Sequence, residues 1–240
     1  MRLVIDAGNT RLKWGVRDGD LWLATGVADY DDLPALTRSL AQWPGLTGCF
    51  GVNVAGPAAA ARIESALQPT GLAPVWLTAQ AQGAGVRSRY TRPAQLGADR
   101  WAALVGAYGL QAGASLVVLA GTATTVDVLD GDGVFQGGLI LPGFEMMRRS
   151  LAERTAGLGY FEGEAEDLPR NTADAIHAGC VFAQVGAIER MFGQIAATRE
   201  GCCLLAGGAA EVIAAKLEIP FRIVPQLVLE GVARLSVAAV

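Results

Sequence analysis

A single histidine and four cysteines are all that 240 residues offer to a soft-metal site. The cysteines are Cys49, Cys180, Cys202 and Cys203. None stands at a C-x-x-C spacing, and adjacent Cys202 and Cys203 would point to opposite faces of a strand. This argues against a metal centre of cysteine and histidine and for buried, reduced thiols in a cytoplasmic protein. Charge is scarce too: charged residues are 18% of the chain, with 19 Lys and Arg against 23 Asp and Glu, net -4. That balance argues against a nucleic-acid groove or a polybasic membrane patch, and leaves room for a local basic site that takes an anionic small molecule. With 52% hydrophobic residues, the chain can bury a sizeable core.

The mean hydropathy of +0.34 calls for a membrane test. Residues 101–126 carry no charge, a length that could span a bilayer, yet the run holds Gly106, Gly109, Gly113, Gly121, Gln111 and three threonines. Its pattern also changes midway from helix-like to strand-like, so no membrane span is expected. The start MRLVIDAGN reaches Asp6 after three apolar residues, and no signal peptide is expected either.

The chain predicts strands at 2–5, 12–16 and 21–27, the last two around a D-G hairpin turn. A helix over 31–43, a strand at 49–55, a helix over 57–67 and a strand at 74–78 follow. Residues 79–95 read as a loop and 97–111 as a helix. A second series begins with a strand at 115–125 and a hairpin over 126–141. It continues with a helix over 142–156 opened by proline, a loop at 157–171 and a helix over 172–199. A strand at 202–208, a helix over 209–217, a strand at 221–224 and a closing helix over 227–239 complete it. The two series match: their glycine turns are 113 residues apart (Gly8 to Gly121) and their hairpin turns 112 (Asp18 to Asp130). The expected fold is therefore α/β, two similar domains of mixed β-sheet flanked by helices, 1–112 and 113–240, around a central cleft.

Both glycine turns suit phosphate. Glycine admits close approach to the backbone, and successive N–H groups make a concave anion site. In DAGNTRLK the turn adds Asn9 and Thr10 as neutral donors and Lys13 as a cation. Asp6 would repel bare phosphate and makes sense as a ligand of Mg²⁺ held on phosphate oxygens. The second turn, 121–125, supplies backbone and hydroxyl donors.

The segments DAGNTRLKWG, LGADRWAALVGAY, GTATTVDVLDGDGVFQGGLILPG and NTADAIHAG resemble, in order and spacing, the type III pantothenate kinases. This family belongs to the sugar-kinase/actin superfamily, and the resemblance runs from Asp6 to the C-terminal helix. It implies an actin-like, ribonuclease H-like ATPase fold and ATP-dependent phosphorylation of pantothenate, the first step of coenzyme A biosynthesis. It also implies that Asp6, Ala7, Gly8, Asn9, Thr10, Arg11, Leu12 and Lys13 handle ATP phosphates and their metal, with Thr122 contacting phosphate. Tyr90, Gly97, Ala98, Asp99, Arg100 and Thr172 would hold pantothenate, and Asp99 would accept the proton of its primary hydroxyl. The Gly207-Gly208 turn corresponds to the adenosine segment, and family members are homodimers.

Phosphoryl transfer to an alcohol needs charge neutralisation, in-line positioning and a base, and these residues can supply all three. Asp99, at a helix start beside Arg100, is expected to stay ionised. Family members usually carry an aspartate just before the second glycine turn, where it helps bind K⁺ or NH₄⁺. Here that residue is Leu119, which cannot ligate a hard cation, so this site is expected to be lost, relocated or built from backbone carbonyls. His177 is expected to pack or face solvent, and Arg148, Arg149 and Arg154 to complement a helix dipole. A nucleotide-binding accessory protein without pantothenate turnover is the alternative that the missing aspartate leaves open.

Overall fold

The computed structural model describes residues 1–197 and 200–238. The chain forms two units, the first of Met1–Leu110 with the segment from Gln226 onward, the second of Gln111–Pro225.

In the first unit, strands β1 (Arg2–Ala7), β2 (Leu12–Asp18), β3 (Leu21–Ala28), β4 (Gly48–Asn53) and β5 (Pro74–Trp76) form a mixed sheet in the order β3-β2-β1-β4-β5. β1, β2 and β3 meander antiparallel, whereas β4 and β5 run parallel to β1. Helices α1 (Leu33–Leu40) and α2 (Pro57–Leu67) make the two crossovers. Asp32 caps α1 by accepting from the Ala35 N–H, and proline stands in the first turn of both helices, where no N–H is required. Leu3, Ile5, Leu12 and Val16 of the sheet pack with Leu36, Leu40, Ile63 and Leu67 of these helices into one core.

The stretch 79–95, expected as a loop, contains a small antiparallel hairpin, β6 (Gln82–Gly83) with β7 (Val86–Ser88), and a 3-10 turn at Pro93–Gln95. Ala84 and Gly85 both adopt positive φ, which a two-residue hairpin turn requires. Strands of two and three residues are too short to show a period. Helix α3 (Ala98–Leu110) follows.

The second unit repeats the plan. Strands β8 (Ser115–Ala120), β9 (Ala123–Leu129), β10 (Val134–Pro142), β11 (Cys202–Ala206) and β12 (Phe221–Ile223) lie in the order β10-β9-β8-β11-β12. Again the three-strand meander is antiparallel and the last two strands are parallel to its first. Helices α4 (Phe144–Arg154), α5 (Thr172–Phe192) and α6 (Ala210–Ala214) flank the sheet. Pro142, expected to open α4, instead ends β10 opposite Ala123, and Gly143 takes the N-cap. Asn171 caps α5 by accepting from the Asp174 N–H at 2.9 Å. That helix was expected to reach residue 199 and stops at Phe192; positions 198–199, like position 239 of the expected closing helix, lie outside the described residues.

The closing helix α7 (Leu227–Ala238) packs on α3 in the first unit, not in the second as a division at residue 112 would have it. Glycines bring the two helices together: a Cβ at Gly231 would stand 1.6 Å from the Ala102 carbonyl oxygen, and one at Gly106 2.4 Å from that of Leu227. Glu230 of α7 accepts from Arg17 of β2 at 2.7 Å and from the Trp22 indole of β3, so the helix is tied to the sheet as well.

Candidate active site

In the first unit, β1 delivers Asp6 to the edge of the glycine turn at residues 8–11. Antiparallel register sets Asp6 directly opposite Lys13 of β2. Asp6 is 8% exposed, whereas Asn9, Thr10 and Arg11 are open to solvent. Burial pushes the Asp6 carboxyl up to about 7; Lys13 opposes this shift and the charge of Asp99 adds to it. Asp6 and Asp99 are 93 residues apart in sequence, yet close enough in the fold for one to raise the other. The first glycine turn and the LGADR helix start thus lie near one another within the first unit.

Asp99 lies in the first turn of α3 and accepts from the Arg100 N–H at 2.8 Å. Its carboxyl is raised above the usual range because burial outweighs that hydrogen bond and the Arg100 charge. The expected pull of the helix start and Arg100 is present, but desolvation is stronger. Arg100 is itself buried at 4% exposure and donates to the Tyr90 hydroxyl at 3.0 Å, with its guanidinium over the ring. Gly97 starts the helix by accepting from the Trp101 N–H. Tyr90, Gly97, Asp99 and Arg100 therefore assemble in the same unit as the first glycine turn.

The second unit holds a matching arrangement. Gly121 and Thr122 form the exposed turn between β8 and β9. The Gly143 N–H donates to the Thr122 carbonyl at 3.0 Å, and a Cβ on Gly143 would come within 2.2 Å of the Gly121 oxygen. Gly207 has φ +111 and also lies against Ala120, whose carbonyl accepts from the Ala209 N–H. The second glycine turn and the expected adenosine segment are thus neighbours at the end of β8. Leu119, half-buried in β8, pairs with Thr125 and Ala206, so the sheet presents no carboxylate at that position.

Thr172 lies elsewhere in the second unit, at the start of α5, where it lines a cavity of about 960 Å³ with Pro142, Met147, Leu158, Ile176 and Cys180. Beside this cavity Arg148 is 4% exposed. It donates to Glu145 at 2.9 Å and to the Phe161 carbonyl at 2.5 Å, and stacks on Tyr160. Rather than serving a helix dipole, it anchors the long loop after α4, a role set by contacts 13 residues away that no local pattern announces. His177 packs edge-on against Phe144, and burial lowers its pKa, consistent with packing rather than proton transfer.

Two mixed sheets that share one five-strand order, each with a glycine turn after the first strand of that order, define a duplicated α/β fold of the actin-like sugar-kinase type. A solved structure from Sinorhizobium meliloti described as a 2-dehydro-3-deoxygalactonokinase shares it, with a TM-score of 0.63, 14% identity and coverage of 100% of this chain and 99% of that one. Within that class the sequence is more specific. The family described as Type III pantothenate kinase matches residues 2–194. The Type III pantothenate kinase of Aromatoleum aromaticum is 55% identical over 97% of this chain and 96% of that one, and that of Azoarcus sp. 48% identical over 99% and 91%. The chain belongs to the type III pantothenate kinase family.

Proposed function

We propose that the protein transfers the γ-phosphoryl group of ATP to the primary hydroxyl of pantothenate, giving 4'-phosphopantothenate and ADP. The observation that carries this is the convergence of Asp6, Lys13, Asp99 and Arg100 within one unit, close enough that Asp99 perturbs Asp6. The hydroxyl oxygen forms the new bond to the γ-phosphorus, the bond to the β-phosphate oxygen breaks, and the hydroxyl proton passes to the Asp99 carboxylate. A raised Asp99 pKa suits a base, because a carboxylate with more than the usual proton affinity draws the hydroxyl proton more strongly. Arg100 and Tyr90 hold the substrate end, while the turns at Gly8 and Thr122 and the Gly207-Gly208 turn serve the nucleotide.

The donor set fits Mg²⁺. Such an ion binds through one or two carboxylates, phosphate oxygens and waters rather than a closed protein cage. Asp6 supplies one carboxylate, and no group of three or more His, Cys, Asp or Glu able to hold a metal gathers among the described residues. Bound there, the ion would neutralise phosphate charge during transfer. Leu119 supplies no carboxylate for a K⁺ or NH₄⁺ site of the usual kind, and we infer turnover independent of both. A cytoplasmic homodimer is part of the same reading. The free thiols of all four cysteines and the exposed Leu139, Ile140 and Met146 support it. No helix among the described residues is long and apolar enough to cross a membrane.

The test is ADP release with Mg-ATP, with and without pantothenate, in sodium and in potassium buffer. Pantothenate-dependent release at equal rates in both buffers is expected. Asp99→Asn should keep its thermal midpoint and lose about 10²–10⁴ in kcat. Folded wild-type protein whose ADP release ignores pantothenate would overturn the kinase reading and favour the accessory role. A potassium requirement would mean that ligands other than residue 119 hold the ion.

A further inference from the structure

The first glycine turn is held from outside by a residue that no motif identifies. Tyr30 opens a 3-10 turn, Tyr30–Asp32, between β3 and α1, and its hydroxyl donates to the Gly8 carbonyl at 2.7 Å. Its ring packs against the apolar core of the first unit. Its backbone is clamped in turn, because Arg62 of α2 donates to the Tyr30 carbonyl and lies 3.6 Å from Asp31. The hydroxyl also feels Asp6: burial and the Asp6 charge raise the Tyr30 pKa, so it stays a protonated donor.

The consequence follows from the peptide plane. In a trans peptide the carbonyl and the following N–H point in opposite directions, and rotation about the bond between them is blocked. The structure has no cis peptide among its described residues. Gly8 lacks a Cβ, so its backbone torsions are loosely restrained by the residue itself. A hydrogen bond on the Gly8 oxygen therefore fixes the Asn9 N–H on the side away from Tyr30. It also draws the Gly8 oxygen, which would repel phosphate, out of the turn's anion-binding side.

We infer that Tyr30 is a positioning residue for nucleotide: its hydroxyl sets the Gly8–Asn9 peptide so that the turn presents N–H donors, not a carbonyl, to the ATP phosphates. The inference rests on the proposed kinase function for its substrate, but its own test is nucleotide affinity. Tyr30→Phe removes one oxygen and keeps the ring in the core. The expected result is a KM for ATP raised about 3- to 10-fold, the range of one lost hydrogen bond, with the KM for pantothenate unchanged. Titration calorimetry with Mg-ADP should show the same fold-loss, whereas the thermal midpoint without ligand stays within a few degrees.

Unchanged nucleotide affinity, or equal rises in both KM values, would overturn the assignment. A Tyr30→Phe protein that fails to fold would also overturn it, since the hydroxyl would then be a structural tie. If wild-type protein binds Mg-ADP but does not phosphorylate pantothenate, the kinase reading falls and calorimetry alone still decides the role of Tyr30. If wild-type protein binds no nucleotide, both fall.

Discussion

Asp6 illustrates how a buried carboxylate sets itself against stability. Its folded pKa of about 7 lies above the ordinary 3.8 because a buried carboxylate is poorly solvated and Asp99 stands near. Between those two values the folded chain holds a proton that the unfolded chain has released. Stability of the ligand-free protein therefore falls as pH rises from about 4 to about 7, by an amount on the order of a few kcal/mol. Asp6→Asn removes the charge and keeps the size. Urea unfolding without nucleotide or divalent ions should show this variant more stable than wild type at pH 8, with the difference shrinking at pH 5, and its turnover lost. Equal stability at pH 8 would show that Asp6 is not desolvated as its burial implies. Asp6 was legible in the sequence because a strand-end acid before a glycine turn has a chemical meaning. Tyr30 and Arg148 were not: Tyr30 stands outside every motif, just before the helix read over 31–43, and an arginine near a helix end reads as a dipole partner, since their contacts lie 22 and 13 residues away.

Among the elements, the α3 and α7 pair turns on small residues. Exchanging Gly231 for alanine in an ordinary helix would favour folding by about 1 kcal/mol through propensity. At this crossing the added Cβ would meet the Ala102 carbonyl oxygen at 1.6 Å, and backbone on both sides cannot move aside cheaply. Sterics should win. Gly231→Ala is expected to lower stability by about 3 kcal/mol, read as a lower urea midpoint at unchanged m-value. A neutral or stabilising effect would mean that the helices separate without cost. The helices were legible as elements through their apolar periods, and α2 occupies the residues its pattern marks, 57–67. Their ends were less so where a competing contact decides, as at Pro142, where strand pairing with Ala123 prevails over helix initiation.

For the whole molecule, the matching orders β3-β2-β1-β4-β5 and β10-β9-β8-β11-β12 bear out the duplication read from repeated turns. The last helix breaks the linear division by returning to the first unit. All five tryptophans, Trp14, Trp22, Trp43, Trp76 and Trp101, lie in that unit, so their fluorescence reports on it. A chain ending at Pro225 exposes the face of α3 that holds Ala102, Gly106 and Gly109 against α7, and takes Glu230 from the Trp22 indole. Its emission should shift to the red and its turnover vanish. If α7 instead supported the second unit, the tryptophans would stay buried after truncation.

The sequence by itself determined the duplicated α/β plan, the two glycine turns, the LGADR helix start and the family, because each is written in residues close together: apolar periods, turn chemistry and short motifs. Tertiary structure alone decided that Asp99 sits near Asp6, that burial rather than Arg100 governs the Asp99 proton, that α7 closes on α3, and that Tyr30 grips Gly8. Those outcomes depend on desolvation and on contacts between residues far apart in the chain, where local pattern carries no information about which groups will meet.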